Sequence, residues 1–230
     1  MIGDEPNNTT PLQRLCAALQ AKAKSNPKFR FYSLYDKVYR SDVLNAAWER
    51  SRANAGKPGV DNQTFADIEK YGVEKFLGEL AEELQTKRYE PQPVRRAYRA
   101  KPDGTQRPLG IPTIRARVVQ TALLIILEPI FEADLQEEQY AYRPNRSAGE
   151  AVQHVHQQLD DGCRDAVAAD VSGYLDSIPP EALMQCVARR LSSTAVPPLR
   201  NLWLFGPEQT GHPCAPATRP PPNQSVHAVP

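Results

Sequence analysis

Six stretches of the chain are expected to be helical, most with apolar positions at helical spacing, and the polar residues between them supply starts and stops. Leu12, Leu15 and Leu19 share one face of a segment expected to be helical over 10–24, with Pro11 at the first helical position after Thr10. Ser41 can cap a helix over 42–54, which Gly56 can stop. Val73, Phe76, Leu77, Leu80 and Leu84 mark a helix over 73–87. After Thr113, a second candidate cap, the run Val118, Val119, Ala122, Leu123, Ile126, Leu127 and Ile130 gives a broad apolar surface and predicts a well-buried helix, kinked or divided at Pro129. Ser147 with Glu150 fits a capping box for a helix ending near Gly162. Pro180 opens a last helix, with Leu183, Met184, Val187, Ala188 and Leu191 on its apolar side.

Two segments break this helical texture. Residues 93–100 read as extended chain, Lys101-Pro102-Asp103-Gly104 as a turn, and 107–111 as a returning strand, which together make a β-hairpin. The apolar run 166–171 predicts a further strand, ending in Asp170-Val171. Past Leu191 the periodicity decays: residues 195–230 hold nine prolines and three charged side chains. Apart from the apolar run 199–205, such a composition cannot bury enough surface to offset ordering entropy, so a disordered tail is expected.

Composition changes this picture little. The chain has 230 residues, 40% hydrophobic and 24% charged, with a formal net charge of +1, so the overall balance selects no partner. The distribution says more. Residues 87–117 carry nine Lys/Arg against Glu90 and Asp103, and 118–142 carry five acids and no Lys or Arg. A basic block beside an acidic one fits a polyanionic partner, and equally a solvated face with complementary charge nearby. The four cysteines form no C-x-x-C pair, as expected of reduced thiols in a cytoplasmic protein. His154 and His156, two apart, fall on different sides of a helix and make poor joint ligands. No apolar run is long enough to span a membrane, and the N-terminus lacks a signal-peptide pattern.

The candidate chemistry centres on Asp170, at the end of the expected strand, and Asp176 six residues later. A carboxylate at a strand end, with the carbonyl of Val171 beside it, can hold a divalent metal, as two-metal phosphoryl transfer requires; it can equally be a turn-forming Asp. Lys101 and Arg107 flank the hairpin turn, where a point charge and a guanidinium fork can grip phosphate oxygens. Tyr142-Arg143-Pro144-Asn145-Arg146-Ser147 places aromatic and Arg groups before a helix N-terminus, suited to stacking bases and binding phosphate, or to packing as a capping loop.

Taken in order, these segments resemble the reverse transcriptases encoded by bacterial group II introns, the intron maturases. The resemblance runs through Lys57-Pro58-Gly59-Val60-Asp61, Tyr89-Glu90-Pro91-Gln92-Pro93-Val94-Arg95-Arg96, Lys101-Pro102-Asp103-Gly104 and Arg107-Pro108-Leu109-Gly110-Ile111-Pro112. It continues through Arg117-Val118-Val119-Gln120, Leu127-Glu128-Pro129-Ile130-Phe131-Glu132 and Tyr142-Arg143-Pro144 to the Asp170 segment, and fades near Leu191. It implies an α+β right-hand polymerase: mostly helical fingers with a basic β-hairpin, then the N-terminal part of the palm. By the same resemblance Asp170 is the first catalytic, metal-binding aspartate, Val171 and Asp176 are further Mg2+ ligands, and Lys101 and Arg107 bind the triphosphate of the incoming nucleotide, with Arg143 nearby. The implied partners are an intron RNA template, a DNA primer and deoxynucleoside triphosphates.

The implied organisation is an N-terminal helical extension (1–56), fingers (57–165), a partial palm (166–194) and a tail unlike the family (195–230). Two departures stand out. The sugar-gate position before Asp176, usually aromatic, is Leu175. The aromatic-Ala-Asp-Asp motif that supplies further metal-site carboxylates occurs nowhere in these 230 residues. The expectation is therefore a fragment of an RNA-directed DNA polymerase that does not itself polymerise. The alternatives are a non-catalytic RNA-binding remnant and an unstable product of a frameshifted gene.

Overall fold

The computed structural model describes residues 10–100, 104, 106–171 and 178–192, the side chain of Arg107 excepted. The expected tail at 195–230 lies outside them. The described chain is mostly helical with one two-stranded antiparallel sheet. Its elements are α1 (Pro11–Ser25), α2 (Tyr35–Val38), α3 (Ser41–Ala53), α4 (Phe65–Tyr71), α5 (Val73–Gln85), β1 (Arg95–Ala100), β2 (Gln106–Ile111), α6 (Ile114–Glu132), α7 (Ala148–Asp160) and α8 (Pro180–Arg190). No helix among the described residues is long and apolar enough to cross a membrane.

The helix starts follow local chemistry. Thr10 and Gln13 form a capping box for α1, Thr64 and Asp67 one for α4, and Ser147 and Glu150 one for α7. The Thr113 hydroxyl accepts from the Ala116 N–H and starts α6. α3 differs from expectation. Its N-cap is Arg40, which makes no side-chain cap but is fastened to Asp42 by two hydrogen bonds of 3.0 and 2.6 Å. The short helices α2 and α4 have too few turns for a periodic apolar pattern. In α4 the Thr64/Asp67 box is the only sequence signal, and Gly72 at φ 106° separates it from α5.

α6 is the axis of the core. Ile114, Val118, Val119, Ala122, Leu123, Ile126 and Ile130 are all buried, with α3 and α1 packed along it and α2 beside it. Trp48 of α3 joins α4 and α5 to this body, its ring 5.4 Å from Phe65 and 5.9 Å from Phe76.

Pro129 does not divide α6, which runs unbroken to Glu132. A proline has no N–H for the carbonyl four residues back, here Ile125. The Cys16 thiol of α1 points at that carbonyl, Sγ to O 3.7 Å, and partly satisfies it from the neighbouring helix. Burial, with Glu128 and Asp42 adding to it, pushes the Cys16 thiol pKa up and keeps it the protonated donor this contact needs.

Two regions depart from the predicted pattern. The strand expected over 166–171 is absent: residues 163–171 have no regular secondary structure, with Val167 96% and Val171 62% exposed. A strand needs a paired neighbour, and the only sheet among the described residues is the β1–β2 hairpin. Secondly, α7 forms as expected yet buries no residue, leaving Val152, Val155 and Leu159 exposed.

The far end of the described chain returns to its beginning. Leu191 forms a parallel bridge with Phe31, whose N–H donates to the Arg190 carbonyl and whose carbonyl accepts from Ser192 N–H, both at 2.8 Å. The Arg190 side chain, 4% exposed, makes a two-point ion pair with Asp134 at 2.7 and 2.8 Å. It also donates to the carbonyls of Ala23, Asn26 and Pro27 where α1 ends. One guanidinium thus satisfies open carbonyls at a helix C-terminus and ties three distant segments.

Candidate nucleic-acid interface

β1 and β2 pair in full register, from Arg95 opposite Ile111 to Ala100 opposite Gln106. In β1 only Ala97 is partly covered, so the hairpin stands out from the body with Arg95, Arg96, Tyr98 and Arg99 exposed. Arg95 donates to the Asn62 side chain at 3.3 Å, which links the hairpin base to the 59–62 turn. Arg99 and Arg107 are directly opposed in the register. Lys101 lies outside the described residues.

The loop that follows is held by Arg143, whose side chain is only 9% exposed. Its Nε and Nη2 donate to Glu132 Oε1 at 3.0 and 2.6 Å, and its Nη1 to the carbonyls of Gln136 and Gln139 at 2.5 and 2.8 Å. In this arrangement the guanidinium fastens the loop to the end of α6, so that the capping-loop reading describes it better than the phosphate-gripping one. Tyr142, at φ 60°, is fully exposed. The Tyr140 hydroxyl pairs with His154 Nδ1 at 2.9 Å, and Arg146 sits 5.4 Å over the Tyr140 ring, which joins the loop to α7.

Asp170 and Val171 lie in the exposed irregular segment after α7; Leu175 and Asp176 lie outside the described residues. Asp170 is therefore not seated at a strand end. Among the described residues no group of three or more His, Cys, Asp or Glu side chains is placed to hold a metal ion. One carboxylate and one carbonyl do not fit a two-metal site.

Hollows mark the surface formed by the described residues, and three of them bear on the choice of site. The first, of about 500 Å3, is lined by Glu79, Glu82, Glu83, Glu90, Arg88 and Arg115. Arg115 Nη2 sits 2.5 Å from Glu83 Oε1, an ion pair off the hydrogen-bond axis, and burial pushes the Tyr89 phenol up to about 12. The second, of about 410 Å3, is an apolar groove between α6 and α8. The third, of about 270 Å3, lies between the end of α3 and the start of α6.

Sequence reasoning passed over two arginines that organise these surfaces. Arg190 is one. The other is Arg117, which donates to the carbonyls of Ala55 (3.1 Å), Pro112 (3.3 Å) and Lys57. It pins the 55–59 loop against the start of α6. Gly59 belongs to the same contact: a Cβ there would lie 2.7 Å from Thr113 backbone atoms, so only glycine allows the approach. Both arginines bind carbonyls, which carry no sequence signature.

No protein-family model matches the chain. It is 36% identical over 179 residues to Protein YkfC of Escherichia coli (strain K12), covering 74% of this chain and 46% of that protein. It is 30% identical over 171 residues to the Group II intron-encoded protein LtrA of Lactococcus lactis subsp. cremoris, covering 73% of this chain and 28% of that protein. The chain thus spans less than half the length of either relative. A further relative, 25% identical over 158 residues, is described as a 91 kDa protein in the cob intron of Schizosaccharomyces pombe. These matches relate the chain to group II intron-encoded proteins over most of its length, as the ordered motifs implied.

Proposed function

We propose that this chain, a relative of the group II intron-encoded proteins, corresponds to the fingers and the opening of the palm of an RNA-directed DNA polymerase that works on intron RNA. The observation that carries the reading is the sequence relationship over 73% of the chain. In this reading Lys101 and Arg107 face the triphosphate of an incoming deoxynucleotide, and Asp170, Val171 and Asp176 contribute to a Mg2+ site. Leu175 holds the sugar-gate position. The aromatic-Ala-Asp-Asp motif that would complete a two-metal site is not among the 230 residues, so the chain alone does not polymerise. The test is primer extension on an RNA template with Mg2+, expected to give no product. Extension that Asp170→Asn abolished would overturn the inactivity.

A second reading, RNA binding without catalysis, is favoured by Arg95, Arg96 and Arg99, all exposed on β1. It predicts an RNA affinity that falls linearly on a log–log salt plot, with a slope of about 0.7 per phosphate contact on a single strand. Replacing Arg95, Arg96 and Arg99 by Gln lowers that slope. Unchanged binding and slope would refute this reading.

A further inference from the structure

Two motifs remain without a role in that reading, Lys57-Pro58-Gly59-Val60-Asp61 and Arg117-Val118-Val119-Gln120. The structure brings them together. Arg117 ties the backbone at Ala55 and Lys57 to α6, and the hollow beside it is lined by Ser51, Asn54, Arg117, Gln120, Thr121 and Leu124. We propose that this hollow receives one base of a single-stranded RNA, read at its edge by the carboxamides of Asn54 and Gln120. The inference rests on the RNA-binding reading above and adds to it a site that the basic hairpin does not contain.

Four observations carry it. A volume of about 270 Å3 lies just below the range of sites for whole small-molecule ligands, and suits a fragment such as a single base. Asn54 and Gln120 each offer two donors and an acceptor oxygen, and among the described residues neither side chain has a hydrogen-bond partner. Paired carboxamide donors and acceptors match the edge of a base, where a phosphate would need charge or a helix N-terminus. Leu124 is exposed beside them and gives a ring face an apolar surface.

Charge favours the same class of ligand. No carboxylate lines the hollow. Arg117 donates three hydrogen bonds, all to backbone carbonyls, so its positive charge has no acid in hydrogen-bond contact, and Asp61 acts on it only at longer range. Burial lowers the Arg117 pKa, yet a guanidinium remains charged at any physiological pH. The other two hollows differ on this point. The first is ringed by glutamates, which repel a polyanion, and the second has almost no polar lining to read a base. The Ser51–Thr121 hydroxyl pair, 3.1 Å apart at the back of the hollow, is already satisfied internally and leaves the two carboxamides as the reading groups.

The test uses the full chain and ten-nucleotide A, C, U and G RNA homopolymers, with affinity measured by fluorescence anisotropy at several salt concentrations. Gln120→Leu and Asn54→Leu keep side-chain size and remove the donors and acceptors. Each is expected to weaken the best-bound homopolymer about tenfold, which is about 1.4 kcal/mol, to flatten the preference among the four, and to leave the salt slope unchanged. Gln120→Met, uncharged and close in length to the native side chain, repeats the test if either leucine variant melts early. Variants that bind like the parent, with its slope intact, would overturn the base site and leave the RNA-binding reading standing. A parent chain with no salt-dependent RNA affinity would overturn both.

Discussion

α5 and α7 are both 13 residues long and both amphipathic, yet they meet opposite fates. α5 begins at Gly72 with no side-chain cap and buries Phe76, Leu77, Leu80 and Leu84 against the body. α7 begins with a complete capping box and buries nothing. The apolar stripe of α7, Val152, Val155 and Leu159, is as regular as that of α5 but is made of smaller residues with no described surface against it. The difference separates two things that sequence patterns merge. A capping box can mark a helix that buries nothing, and burial can hold one that has no side-chain cap; only the opposing surface decides whether an apolar stripe is buried.

The sharpest way to break the comparison is to cut the same kind of residue from each helix. Leu80→Ala empties a fully buried site and is expected to cost about 2–5 kcal/mol in urea unfolding. Val155→Ala on α7 is expected to change stability by no more than about 0.5 kcal/mol. A large loss at Val155 would show that α7 has a packed partner after all.

Arg190 comes next. Arg190→Met removes the Asp134 pair and three carbonyl contacts, and is expected to cost about 3 kcal/mol. Limited proteolysis should then cut first between Ile178 and Ser192, where α8 lies. Cleavage within α1 first would place the role of Arg190 elsewhere. Ser147→Ala is a smaller change, about 1 kcal/mol of helix stability. Because α7 is held chiefly by its cap and by the Tyr140–His154 contact, the loss should appear as faster amide exchange in α7 alone. Equal acceleration in α5 would contradict local control.

The smallest expected effect concerns pH. The Thr64 hydroxyl and N–H both donate to the Asp67 carboxylate, at 2.6 and 2.9 Å, and hold its pKa below the ordinary range. A depressed folded value means that the contribution to the α4 cap is present above the unfolded pKa, about 3.9, and is lost as pH falls through the folded one. A carboxyl NMR titration should find Asp67 below its ordinary range, and Thr64→Val, which removes the hydroxyl and keeps the N–H, should raise it part of the way back.

What could be read in the sequence follows the same division. The starts of α1, α6 and α7, and the β1–β2 hairpin, were readable because Thr10, Thr113, Ser147 and the turn after Ala100 act on neighbours within four residues. The strand expected over 166–171 was a tertiary claim resting on a local pattern, and it fails for want of a neighbouring strand. Arg117 and Arg190 were unreadable, because their partners are carbonyls as far as 62 and 167 residues away. The candidate base site was half readable: the motif at Arg117–Gln120 was visible, but its meeting with Asn54 needed the fold.

The contact from Arg190 to Ala23 also carries a timetable. The carbonyls that end α1 emerge from a ribosome 167 residues before the guanidinium that satisfies them. At about 5–20 residues per second, they wait about ten to thirty seconds with water as their only partner from that side. Closing so long a loop costs only a little more entropy than closing a short one, since the cost grows with the logarithm of length. The helical body can thus be assembled before its fastening to the chain around α8, which must wait until that segment has been made.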